Sequence, residues 1–325
     1  MTKSSIGILL INTGTPSAPT PSALWHYLRE FLSDRRVIHA PQWLWQPLLY
    51  TVILPSRSFY SANLYKKIWS QHGSPLRYAM EQIALALQVS YNNTIEVAVG
   101  MHYGQPSIAN ALTALREKHI EHILIFPLFP QYSQTTTASS FDKVNQALRN
   151  WTCIPEIRFI REYATHPAYI QAITQQIKTA WQKQGKSSYL LFSFHGLPRN
   201  YTDQGDPYFY HCKTTAQNLA QALQLTPDHW TLSFQSRTGY ATWLKPYTQE
   251  ILTQLPQQGV REVDIVCPGF SVDCLETLEE VAMRCKEQFI RAGGNIFRYI
   301  PALNNSAQHI QALKAITDQH LQGWI

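Results

Sequence analysis

Tyr189-Leu190-Leu191-Phe192-Ser193-Phe194-His195-Gly196-Leu197-Pro198 is the stretch from which the fold is read. An apolar run of strand length ends on a histidine and a glycine-proline turn. A short apolar run bounded by turn residues fits a strand buried on both faces, as parallel sheets require. The same grammar recurs on either side. Ile6–Ile11, Ile95–Gly100, His122–Phe126 and Glu156–Ile160 precede it, and Thr231–Gln235 and Val263–Val266 follow. Stretches with helical spacing lie between: Ser22–Leu32, Ile108–Lys118, Phe141–Asn150, Ala168–Lys183, Phe209–Leu223, Thr242–Leu255 and Cys274–Arg291. Strands alternating with helices of this length predict βαβ crossovers and a parallel sheet. The pattern runs twice, about four strands before Trp151 and three or four after it. The expected architecture is therefore α/β, with two similar doubly wound (Rossmann-like) lobes over 1-160 and 161-325 and a ligand cleft between them. The final helical stretch, Ser306–Gln322, is expected to pack back on the first lobe.

Composition narrows the function classes. The chain has 325 residues, 45% of them hydrophobic, enough for two buried cores. Met1–Ser5 leads straight into a strand-like run, so no export signal is expected and the expected location is the cytoplasm. Five scattered cysteines (Cys153, Cys212, Cys267, Cys274, Cys285) form no C-x-x-C pair, which argues against a zinc site or a disulfide framework. The net charge of +6 is thinly spread, and Arg35-Arg36 and Lys66-Lys67 are too short for a nucleic-acid stripe. The first strand opens into Asn12-Thr13-Gly14-Thr15-Pro16, and no G-x-G-x-x-G or Walker pattern occurs, so no nucleotide cofactor is expected. One apolar cluster stands out, from Pro41 through Trp43, Trp45 and Tyr50 to Pro55. It is too short and too interrupted by proline to span a bilayer, which takes roughly 20 apolar residues. It either covers a core or forms an exposed lip around a flat apolar ligand.

Two titratable side chains fall where a strand gives way to a loop or helix. His195 follows Tyr189–Phe194, and Glu276 follows Val263–Val266 by way of Cys267-Pro268-Gly269-Phe270-Ser271-Val272-Asp273-Cys274-Leu275. In open α/β sheets this edge is where ligands bind. A histidine and a glutamate brought to that edge from two strands set a proton acceptor facing an anionic site, a pairing that suits chemistry on a cationic metal or on acidic N–H protons. Each also has a structural reading. His195 could be satisfied by backbone at a strand end. Asp273-Cys274-Leu275-Glu276 fits a capping box with Asp273 at the N-cap and Glu276 three residues on. Glu276 and Glu280 share a helix face and could form a proton or metal path with Asp273, which Arg284 would end.

These residues also carry a resemblance. Ser193-Phe194-His195-Gly196-Leu197-Pro198, Gly205-Asp206-Pro207-Tyr208, Phe234-Gln235-Ser236-Arg237 and the run from Phe270 to Glu280 resemble the ferrochelatase family. So do Leu9-Leu10-Ile11-Asn12-Thr13-Gly14-Thr15-Pro16 and Phe129-Pro130-Gln131-Tyr132-Ser133, all in the family's order. The resemblance implies insertion of ferrous iron into a porphyrin with release of two protons and no organic cofactor. It makes His195 and Glu276 the catalytic and metal-handling pair, and the 41-55 cluster a lip capable of peripheral membrane contact. It adds Thr13, Tyr65, Ser74, Trp243 and Phe270 as porphyrin contacts. Met101-His102-Tyr103 stands where some members carry an arginine. With no cysteine after Cys285, no iron–sulfur cluster is expected on a C-terminal tail. Asn12-Thr13 lacks the tyrosine of coproporphyrin-type enzymes, which favours protoporphyrin IX over coproporphyrin III. Another tetrapyrrole chelatase and a non-catalytic haem carrier are the rival readings, and the oligomeric state is left open.

Overall fold

The computed structural model describes residues 5–239 and 241–325. Eight strands occur among the described residues, in two sheets of four. The first holds β1 (Ile6–Gly14), β2 (Glu96–Tyr103), β3 (His122–Pro127) and β4 (Glu156–Phe159) in the order β2-β1-β3-β4. The second holds β5 (Tyr189–His195), β6 (Trp230–Gln235), β7 (Glu262–Val266) and β8 (Ile296–Ile300) in the order β6-β5-β7-β8. All neighbours pair in parallel, as the apolar runs predict. The second sheet repeats the first, strand for strand.

Two compact units contain these sheets. Unit 1 comprises Met1–Phe129, Ser133–Arg161 and Lys314–Ile325; unit 2 comprises Pro130–Tyr132 and Glu162–Leu313. In unit 1, Leu9, Ile11, Ile123 and Ile125 pack with Leu112, Leu115 and Val144 from the crossover helices. In unit 2, Leu191, Val263 and Ile265 pack with Leu252, Leu255, Val281 and Phe289. Each such side chain removes apolar surface from water, which stabilises by roughly 1.5–3 kcal/mol. The terminal segment of unit 1 is tied down by the Tyr91 hydroxyl donating to Asp318 at 2.6 Å and by Arg158 donating to the His320 carbonyl at 2.6 Å.

Helix starts follow local chemistry. Thr20 and Ser107 accept from Ala23 N–H and Asn110 N–H, capping Pro21–Leu32 and Ile108–Glu117. Three features differ from the sequence reading. β8 extends the second sheet, the helix expected from Thr242 begins at Thr248, and the 41-55 cluster lies inside a helical region. That region runs as helix Gln42–Leu48, a π turn at Leu49–Ile53 and helix Leu54–Ile68, the turn lying between Pro47 and Pro55. The region has a buried face and an exposed one. Leu49, Leu54, Ser58, Ala62 and Tyr65 are buried at helical spacing, whereas Trp43 and Phe59 are 75% and 65% exposed. No helix among the described residues is long and apolar enough to cross a membrane.

The third strand of each sheet leads toward a π-helical segment. After β3 it is Gln134–Ala138, continuing into helix Ser139–Leu148. After β7 it is Glu276–Cys285, continuing into helix Lys286–Arg291. π-helices are rare and frequently mark functional positions.

Candidate active site

β5 delivers His195 to the carboxyl edge of the second sheet, half-buried. Its Nδ1 lies 2.6 Å from the Gly196 carbonyl. A carbonyl only accepts, so Nδ1 donates here, which leaves Nε2 as the ring nitrogen available for proton exchange. Phe270, half-buried after β7, sets its ring 6.4 Å from the imidazole, centroid to centroid. The Tyr208 hydroxyl donates to the His195 carbonyl at 3.0 Å and fixes the strand end from the other side. Gly196 is required by close approach: a Cβ would stand 2.7 Å from the Gln235 carbonyl and 3.0 Å from the Trp243 ring. That places Trp243, itself buried, against the residue that follows the histidine.

Glu276 opens the long π segment and is half-buried. It is not the partner in a capping box with Asp273, because the Asp273 N–H donates to Asn304 Oδ1 at 2.8 Å. The cap sits one residue later. Leu278 N–H donates to the Cys274 carbonyl, and the Thr277 hydroxyl oxygen accepts from Cys274 N–H at 3.0 Å. Thr277 makes the return bond that spacing assigns to Glu276, which leaves the Glu276 carboxylate outside the cap. Burial, then the nearby Glu276 charge, pushes the Cys274 thiol well up, so it stays protonated.

Gln235 joins the two. Its carbonyl accepts from Gly196 N–H at 2.8 Å, and its side-chain amide donates to the Glu276 carbonyl at 3.1 Å. Its Oε1 accepts from Ser193 at 2.7 Å, and Ser193, Thr248 and Ser233 continue a fully buried hydroxyl chain at 2.8 Å steps. Such a chain polarises along its length and fixes the amide's orientation. Gln235 has no role in the sequence reading. The available signal is a glutamine closing a buried strand within Phe234-Gln235-Ser236-Arg237.

The other two acidic candidates are surrounded by donors. Asp273 accepts from Thr277 (2.9 Å), Tyr299 (2.5 Å) and Ala302 N–H (3.3 Å) on Oδ1 and from Asn304 (2.7 Å) on Oδ2. It ties the π segment to the chain that follows β8. Glu280 accepts from Ser236 N–H at 2.8 Å and from the Ser236 hydroxyl at 2.6 Å, with an Arg284 nitrogen 3.9 Å away. The fully buried Glu279 pairs with the same arginine at 2.7 Å.

Thr13, Tyr65 and Ser74 belong to unit 1. Thr13 is half-buried near the end of β1, its N–H donating to Asn12 Oδ1 at 2.8 Å. Ser74 is buried ahead of helix Pro75–Ser90 and donates to the Thr15 hydroxyl at 2.8 Å. Tyr65 is buried with its ring edge-on to Trp69 at 6.2 Å. His102, in the Met101-His102-Tyr103 stretch at the end of β2, is buried with Nε2 2.5 Å from the Ser140 hydroxyl. Burial, reinforced by Lys143, lowers its pKa to about 3, so it is neutral. Among the described residues, no three His, Cys, Asp or Glu side chains form a metal cage.

Comparison with known proteins places the chain. It matches the family model described as ferrochelatase over residues 5–321. Relatives named ferrochelatase include one from Photobacterium profundum, 45% identical over 100% of both chains, and one from Edwardsiella ictaluri, 48% identical over 95% of this chain and 96% of that one. A third, from Methylococcus capsulatus, is 47% identical over 98% of each. Among solved structures, SirB from Bacillus subtilis with Fe3+ shares the fold, with a TM-score of 0.56 at 11% identity over 97% of this chain and 94% of that one.

Proposed function

Because the chain belongs to the ferrochelatase family, we propose that it is a lyase that inserts ferrous iron into protoporphyrin IX, with His195 and Glu276 handling the protons and the metal. Iron is the substrate metal, and no organic cofactor takes part. Two pyrrole N–H protons must leave before four nitrogens can close on the ion. The observation that carries the reading is the tautomer of His195. The bond from Nδ1–H to the Gly196 carbonyl aims a basic Nε2 away from the backbone, as a proton acceptor needs. Glu276, outside its helix cap, supplies a carboxylate as oxygen ligand or proton escort. Two protein ligands leave the remaining positions on iron for the macrocycle. Gln235 holds both groups in register, so their geometry is set before substrate arrives. Phe270 and Trp243 offer aromatic walls to a flat ring, and Thr13, Tyr65 and Ser74 are further porphyrin contacts on unit 1. Walls that favour a buckled macrocycle would direct binding energy to the transition state.

The enzyme acts in the cytoplasm and touches a membrane surface peripherally through residues 41-55, where Trp43, Leu44 and Val52 are exposed. Its substrate is protoporphyrin IX rather than coproporphyrin III. Anaerobic competition between the two porphyrins for ferrous iron tests this: protoporphyrin IX is expected to have the higher kcat/KM, and a higher value for coproporphyrin III would overturn it.

A further inference from the structure

Ser236, directly after the residue that joins His195 to Glu276, has an unusual backbone. Its φ is +64°, in the left-handed region that non-glycine residues seldom adopt. Such a conformation persists only where the surroundings hold it, and it clusters at sites where geometry matters. Here one side chain does the holding. Glu280 takes the Ser236 N–H on Oε1 at 2.8 Å and the Ser236 hydroxyl on Oε2 at 2.6 Å. Arg284 stands behind it, 3.9 Å from Oε2 and 2.7 Å from the fully buried Glu279. From Ser236 the connection continues into Gln235, and from there to Gly196 N–H at 2.8 Å and the Glu276 carbonyl at 3.1 Å.

We propose that Glu280 is a positioning residue that latches Ser236 in its left-handed conformation and, through Gln235, sets the placement of His195 and Glu276. It does not pass metal or protons along the π segment. The assignment rests on the chelatase reading of those two residues. Two observations favour a latch over a relay. Both Glu280 oxygens already accept charge-assisted hydrogen bonds from Ser236, the strong kind. And the next residue on the same face is a guanidinium, 3.9 Å from Glu280 Oε2, whose charge repels an approaching divalent cation. The acidic ladder suggested by the i, i+4 spacing of Glu276 and Glu280 therefore ends in a strut.

The test uses the full chain and anaerobic steady-state kinetics with ferrous iron varied at saturating protoporphyrin IX. Wild type is compared with Glu280→Gln, Ser236→Ala, the double variant and Ser236→Gly. A latch predicts that Glu280→Gln and Ser236→Ala each lower kcat by about tenfold, the scale of one charge-assisted hydrogen bond, with KM for iron within twofold. The double variant should be no worse than the weaker single, since both break one connection. Ser236→Gly keeps the backbone donor and accepts positive φ freely, so it should recover most of the rate. A rise in KM for iron in Glu280→Gln with Ser236→Ala unaffected would instead establish a metal route and overturn the latch. A second readout needs no turnover. The His195 imidazole resonances should shift alike in Glu280→Gln and Ser236→Ala, with thermal unfolding confirming that both fold. Unchanged His195 resonances in folded variants would sink the proposal, whereas absence of turnover in wild type would count only against the chelatase reading.

Discussion

The two sheets are one design with different endings. β2-β1-β3-β4 and β6-β5-β7-β8 have the same order; β1 ends at Gly14 and Gly196 directly follows β5, each glycine pressed against the neighbouring strand. A Cβ on Gly14 would meet the Tyr103 carbonyl at 2.0 Å, and one on Gly196 the Gln235 carbonyl at 2.7 Å. The residue before that glycine is Thr13 in unit 1 and His195 in unit 2. The third strands differ in the same way. Gln134–Ala138 is a short π turn of glutamine, threonine and alanine, whereas Glu276–Cys285 is twice as long and holds three glutamates. Topology thus supplies the same edge twice, and His195 and Glu276 stand on one copy only. On the proposed reading, what separates the two units is the side chains at two strand ends and the buried polar connections around them.

That contrast can be broken. His195→Ala should lower iron insertion by about 10²–10⁴-fold, the usual scale for a positioned acid–base group. Thr13→Ala, at the matching position, should change KM for porphyrin only a few-fold. Equal losses in the two variants, measured by anaerobic turnover, would erase the distinction between the units. The glycines sharpen it next. Gly14→Ala combines a 2.0 Å clash with φ of +97°, and should destabilise by about 3 kcal/mol in thermal unfolding. Gly196→Ala should destabilise less yet cost most of the turnover, because the shift passes directly to His195.

Acid should weaken both units through one buried histidine each. His102 in unit 1 and His309 in unit 2 are held neutral by burial, with pKa values lowered from 6.5 to about 3 and about 4. Below pH 6.5 the unfolded chain takes up protons that these two refuse in the fold. Stability fully present above that pH is therefore lost as pH falls toward the folded values. Each histidine should remove about 1.4 kcal/mol per pH unit in that window. Urea unfolding at pH 7 and pH 5.5 measures it, and His102→Gln should shallow the loss. Last and smallest, Thr277→Val removes the hydroxyl that caps the π segment and should cost about 1 kcal/mol. A larger effect on turnover than on stability would show that the cap also places Glu276.

How much of this is legible in the sequence follows from how local each cause is. Buried parallel strands announce themselves as apolar runs, so β1 to β7 lie within a few residues of their expected places. β8 does not announce itself as an apolar run because Ile296-Phe297-Arg298-Tyr299-Ile300 interleaves an arginine, whose partner, Asp264, comes from the neighbouring strand. The helical region from Gln42 to Ile68 is hidden by Pro47 and Pro55, which ordinarily stop a helix; a π turn between them carries the chain through. At the site, the family-like segments point to His195 and Glu276. The cap that frees Glu276 lies one residue beyond where spacing puts it, because Asn304, 31 residues downstream, takes the Asp273 N–H. Gln235 and the Ser236–Glu280 pair depend on contacts between different strands and helices, which spacing along one segment cannot register.

The most direct test is pre-steady-state mixing of the full chain with protoporphyrin IX and ferrous iron, following porphyrin fluorescence and haem absorbance in wild type, His195→Ala and Glu276→Gln. The account predicts that all three bind porphyrin with comparable affinity, that wild type turns over repeatedly, and that metal insertion falls by at least about a hundredfold in both variants. Insertion at wild-type rates in either variant would contradict the assignment of chemistry to these two strand ends.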